Sequence, residues 1–258
     1  MRRTAWAGLT LGGALVASAL AAQPVAPPIQ QPTQQPVAEH VGAAAPVATA
    51  PPASAARARV TFQLDHAGAM VPRFTLAIEE DGRVSYVAEQ AVPAGAQAGV
   101  NATSATQHVE QRAVLTPTTT ARIFELARAS DRFNVACESL AKNVADMGHK
   151  TLRYSGPEGD GSCVYNFSEI KSIVALTQLL QGITITLDMG RKLDFDHRFD
   201  RLGLDEDTTA LVEMIAQGRA VEVNMIARTL RSIAEDSEVM ERVRGRASSL
   251  LQRFPPVQ

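Results

Sequence analysis

The chain has 258 residues, 45% hydrophobic and 20% charged, a globular composition long enough to bury one sizeable core or two modest ones. Its formal net charge of −2 gives no reason to expect a nucleic-acid or membrane-surface partner, and an aromatic content of 5% excludes extensive stacking platforms for bases or sugars. The first residues read as an export signal: Arg2 and Arg3 are followed by an apolar run, Trp6 to Leu20, and by small residues at Ala19 and Ala21. The run falls short of the roughly 20 residues a membrane-spanning helix needs, so no integral span is expected once the leader (residues 1–21) is removed. Arg2-Arg3 lacks the rest of a twin-arginine motif, which points to the general secretory route and a periplasmic or extracellular location.

Residues 22–56 are built of Ala, Pro, Gln and Val, with Pro27-Pro28 and Pro51-Pro52 among the prolines. Such a stretch buries too little apolar surface to offset its ordering entropy and reads as an extended tether. Folded structure is expected from Arg57. Val60, Phe62 and Leu64 alternate with polar neighbours, as do Phe74, Leu76 and Ile78. Asp81-Gly82 is a hairpin turn signal, with Val84, Tyr86 and Ala88 on the return strand. Gln107 to Leu115 is a further strand, and Pro117 with Thr118–Thr120 opens a helix expected to stop near Ser130.

From His149 the chain reads as strand, glycine-rich turn (Gly156, Gly159, Gly161), strand and long helix. Ser168 is the expected cap, and Ile173, Leu176, Leu180, Ile183 and Leu187 form a 3-4-3-4 seam that wants a partner. Gly190 weakens the helical pattern beyond this point, where the stripe shifts to Phe195, Phe199 and Leu202. Asp205 is placed to cap the next helix, and further amphipathic segments carry Val223–Ile233 and Met240–Phe254. The expected fold is α+β: an antiparallel sheet of about five or six strands with packed helices, followed by a C-terminal antiparallel helical bundle. The sheet region spans 57–168 and the helical region 169–254.

Cysteines occur only at Cys137 and Cys163, and in an exported chain an even pair implies a structural disulfide. Neither Gly-x-Ser-x-Gly, His-Glu-x-x-His, Cys-x-x-Cys nor a phosphate-cradling loop is present. The densest polar cluster is Asp194, Asp196, His197 and Asp200. Asp194 and His197 share a helix face but lack a third metal ligand, so the cluster reads as a charged face with His197 paired to a carboxylate. His66, His108 and His149 are dispersed, each near a strand end. No catalytic, cofactor-binding or metal residue is therefore assigned.

One resemblance is carried by Asp81-Gly82-Arg83-Val84-Ser85-Tyr86, the helix followed by Phe133, and the Lys150–Phe167 hairpin with its following helix. From Val60 to Leu187 the chain resembles exported bacterial α+β domains of unknown function, and no functional residues follow from that likeness. Two functions are consistent with the sequence. One is a non-catalytic exported module that binds a protein or envelope partner. The other is a hydrolase or metal-dependent enzyme whose site is assembled only in three dimensions.

Overall fold

Six strands pair in the order β4-β3-β2-β1-β5-β6: β1 (Arg59–Asp65), β2 (Arg73–Glu79), β3 (Arg83–Ala91), β4 (Thr106–Val114), β5 (His149–Ser155) and β6 (Gly161–Tyr165). Every pairing is antiparallel. The computed structural model describes residues 57–257 apart from 68, 70 and 92–105. The expected leader and tether lie outside the described residues.

Side-chain alternation sends one face of the sheet inward. Val60, Phe62, Leu76, Ile78, Tyr86, Leu152 and Tyr154 are all buried, whereas Thr61, Gln63, Thr75, Ala77 and Ser85 on the other face are half-buried. Helices α1 (Pro117–Ala129) and α2 (Lys171–Phe199) cover the apolar face. Thr116 caps α1 by accepting from the Thr119 amide, and Pro117 occupies the first turn, where its missing N–H costs nothing. The Glu222 carboxylate reinforces this end. It accepts from the Thr116 amide and hydroxyl, each at 2.7 Å, and from the Thr119 hydroxyl. An anion is favoured there by the exposed amides of the helix start.

Helix α2 is about 43 Å long at 1.5 Å per residue and joins two apolar cores. Ile173, Leu176, Leu180, Ile183 and Leu187, at most 2% exposed, pack on the sheet. Leu193 packs instead with α3 (Leu204–Ala216), the turn Val223–Ile226, α4 (Ala227–Glu235) and α5 (Glu241–Arg253), through Leu211, Ile226, Leu230, Ile233, Val243 and Leu250. Gly190 does not interrupt α2. A Cβ there would stand 2.2 Å from Cγ2 of Ile226, so the glycine admits a close neighbour and the loss of helix propensity is offset by packing. An 18-residue window of α2 reaches a mean hydropathy of 1.3, and 56% of it is buried, the signature of a core helix.

Two expected caps take other roles. The helix after Ser168 starts at Lys171 with no side-chain cap, and Ser168 instead receives the Ile170 amide at 3.3 Å. Asp205 lies inside the first turn of α3 and binds Arg242 and Arg246 of α5, at 2.8 and 2.6 Å. These guanidinium groups hold its carboxyl well below the ordinary carboxylate range. Helix-to-helix pairing competed successfully with capping because a bidentate arginine bond to a carboxylate is the stronger use of the anion.

The stretch between α1 and β5 is irregular and lies along the outer edge of β6. Cys137 and Cys163 are bonded, with their Cα atoms 5.8 Å apart. The Ser139 amide donates to Phe167 O at 2.8 Å, and the Asn166 amide donates to the Glu138 carboxylate at 2.6 Å. Gly161 permits the approach, because a Cβ would sit 2.1 Å from Arg132 O. Asp131, Arg132 and Phe133 all take positive φ, a costly conformation for side-chain-bearing residues. Full burial of the Phe133 ring supplies the compensating stabilisation.

Candidate functional site

The inward side of α2 is polar where the two cores meet. Tyr86 of β3 donates its hydroxyl to Asp188, 3.0 and 3.1 Å from the two carboxylate oxygens. Burial pushes the Asp188 carboxyl above its ordinary range and the Tyr86 phenol up as well. One turn on, the Lys192 ammonium bridges Asp196 at 2.8 Å and Asp207 of α3. Both carboxylates are nearly inaccessible, at 6% and 7% exposure. Burial, together with the hydrogen bond that its protonated carboxyl donates to Asp196, pushes Asp207 up to about 6, while Asp196 is held low, against its burial, by accepting from Asp207 and Lys192. Repulsion between the two neighbouring carboxylates adds to the preference for a proton on Asp207.

A pH dependence follows. The folded pKa of Asp207, about 6, stands above its ordinary 3.8, so the native state holds this proton more tightly than the unfolded chain. The stabilisation is fully present below pH 3.8 and is lost as pH rises through about 6. Asp188, also raised, adds the same sign. Scanning calorimetry across this window is expected to show the Tm falling with rising pH. Asp207→Asn, whose amide reproduces the donor of the protonated acid, is expected to flatten the slope; an unchanged slope in that variant would locate the linkage elsewhere.

The outward side of α2 is different. The buried stripe at its C-terminal end runs through Leu187, Gly190, Leu193 and Asp196, which leaves Phe195 and Phe199 facing away from the core. Phe195 is 56% exposed, Phe199 73% and Leu202, in the following turn, 79%. The two rings lie 4.9 Å apart at 47°, a tilted stack on the helix surface. Charges around them are already committed within the chain. Arg198 pairs with Asp194 at 2.7 Å, and Arg201 pairs with Glu238 and, at 3.5 Å, with Asp236. His197 meets Asp236 at 2.9 Å, the carboxylate pairing expected from sequence. Asp236 is held low first by the Glu238 amide and then by His197.

Other features offer less. A cleft of about 700 Å³ beside α1 is lined by Glu80, Asp81, Phe124, Glu125 and Arg128, and by Val257 from the C-terminal tail. Among the described residues it gathers no histidine, and neither raised carboxyl, Asp188 nor Asp207, lines it. Asp194 and His197, the candidate ligand pair, are drawn apart to Arg198 and Asp236. Among the described residues no group of three or more His, Cys, Asp or Glu side chains is arranged to hold a metal. His66 and His149 stand at the same end of the β1–β5 pair, while His108 lies exposed on β4. No protein-family model matches this chain, and no curated protein matches it either.

Sequence reading placed Phe195, Phe199 and Leu202 on one stripe but did not identify it as exposed. The Lys192–Asp196–Asp207 bridge was not anticipated. Its only sequence signal is the i,i+4 spacing of Lys192 and Asp196, which is common on solvated helices.

Proposed function

We propose that this chain is a non-catalytic exported module whose Phe195–Phe199–Leu202 surface seats in an apolar groove of a partner protein. The carrying observation is the exposure of two stacked phenyl rings and a leucine on a rigid core helix, since large apolar groups left in water at one place mark interaction surfaces. The helix needs no reorganisation to present them, which lowers the ordering cost of binding. The internally paired charges around the rings leave no net basic field to attract an anionic bilayer, so the partner is a protein with an apolar groove rather than a lipid surface. The Cys137–Cys163 bond is compatible with an oxidising, exported location.

The test is parallel affinity capture from envelope extracts with the wild-type chain and a Phe195→Ser/Phe199→Ser/Leu202→Ser variant, with a flotation assay on anionic vesicles alongside. The expected result is one partner whose binding the triple variant weakens by about a hundredfold or more, with the circular dichroism spectrum unchanged and no flotation. A partner held equally by both chains, or flotation by the wild type alone, would overturn the reading.

A further inference from the structure

The two edges of the sheet are treated in opposite ways. The β6 edge is only five residues long, and the preceding irregular stretch is held against it by the Cys137–Cys163 bond and by the close approach of Arg132 O to Gly161. The β4 edge is nine residues long, and among the described residues it pairs on one side only, with β3. Its register with β3 runs without a bulge from Arg83↔Val114 to Ala91↔Thr106. It contains neither proline nor lysine, the usual devices that prevent such an edge from pairing with another chain.

We infer that β4 is a self-association edge, and that a second copy of this chain adds to it as an antiparallel strand with Gln111 on the twofold axis. The sequence Glu110-Gln111-Arg112 is self-complementary in that register. Glu110 of each copy stands opposite Arg112 of the other on the open face, and Val109 stands opposite Ala113 on the helix-covered face. The registers on either side fail, because an axis at Glu110 opposes two glutamates and one at Arg112 opposes two arginines. Glu110 and Arg112 are already 3.2 Å apart within the chain, but with side chains 52% and 84% exposed that bond is cheaply exchanged. Gln111 stands opposite its own counterpart on the helix-covered face. A twofold axis normal to the sheet keeps both helical layers on the same side, so the joined sheet remains covered.

The proposal is independent of the aromatic surface on α2 and is tested on the purified chain by sedimentation velocity over a concentration series. The wild type is expected to sediment as a dimer. Glu110→Arg alone and Arg112→Glu alone each place like charges opposite one another twice, and each is expected to weaken the dimer by about tenfold or more. The double swap, Glu110→Arg with Arg112→Glu, is expected to restore it. Both side chains are exposed, and circular dichroism checks that each variant is folded. A monomeric wild type, a dimer indifferent to both single changes, or a double swap that fails to restore association would each overturn the inference.

Discussion

Replacing Cys137 and Cys163 together by alanine is expected to lower the unfolding free energy by about 3.5 kcal/mol. The cysteines are 26 residues apart in sequence, and their bond removes conformations from the unfolded chain across that loop. The loss should therefore appear in urea as a lower midpoint together with a steeper dependence on denaturant, because the uncrosslinked chain unfolds to a more expanded state. Cys137 is 2% exposed and Cys163 8%, so reductant acts on the wild type only after unfolding begins. The same change releases the cover from β6. The variant should aggregate on heating at protein concentrations where the wild type refolds, since an uncovered strand edge pairs with other chains. Two alkylatable thiols in the native wild type, or equal urea midpoints with and without reductant, would contradict this account.

Lys150→Met is expected to cost about 3 to 5 kcal/mol, although methionine preserves most of the apolar length of the side chain. Lys150 is 4% exposed, and its ammonium donates to Met147 O at 3.0 Å, Gly148 O at 3.2 Å and Asn166 O at 2.8 Å. Three acceptors use all three N–H donors of the charged form, whereas a neutral amine has only two. Burial pulls the Lys150 pKa down, with Asp146 and Glu138 opposing. The carbonyls belong to the irregular stretch before β5 and to the residue just after β6, so the ammonium fastens that stretch to the sheet. Asn166 completes the fastening, accepting from the Met147 amide at 2.7 Å and donating to Ala145 O at 2.9 Å. Methionine leaves the three carbonyls unpaired in a site water reaches poorly, and each orphan carries its own desolvation cost. Chemical denaturation of the variant measures the loss. Amide exchange accelerated over residues 145–148 would localise it, whereas a loss under about 1 kcal/mol would mean that the ammonium contributes no more than a surface ion pair does.

The strands were readable because a half-buried antiparallel sheet writes a period of two into its sequence. Val60, Phe62, Leu76, Ile78, Tyr86, Leu152 and Tyr154 all fall on the buried face. The seam from Ile173 to Leu187 was readable for the same reason at helical period. The alternation extended only so far. Cys163 and Tyr165 are buried, but Phe167 lies two residues beyond the end of β6 and is 36% exposed. Lys150 shares strand parity with Leu152 and Tyr154, so its burial was implied by position. What opposed that reading was its charge, and only the three carbonyls gathered from two other segments resolve the conflict.

Local sequence alone determined the α+β class, the strand and helix sites, and the two cysteines available for pairing. Hydrophobic period and turn chemistry act over a few residues, and the cysteine count needs no geometry. The tertiary structure decided the rest: that Gly190 admits Ile226 without breaking α2, that Asp205 serves two arginines instead of a cap, and that Phe195 and Phe199 face solvent. It also decided that β4 stands at one edge of the sheet while β6 is covered at the other. Each of these depends on which distant segment arrives at a surface. An aromatic stripe at helical spacing reads the same in sequence whether a neighbouring helix covers it or water does.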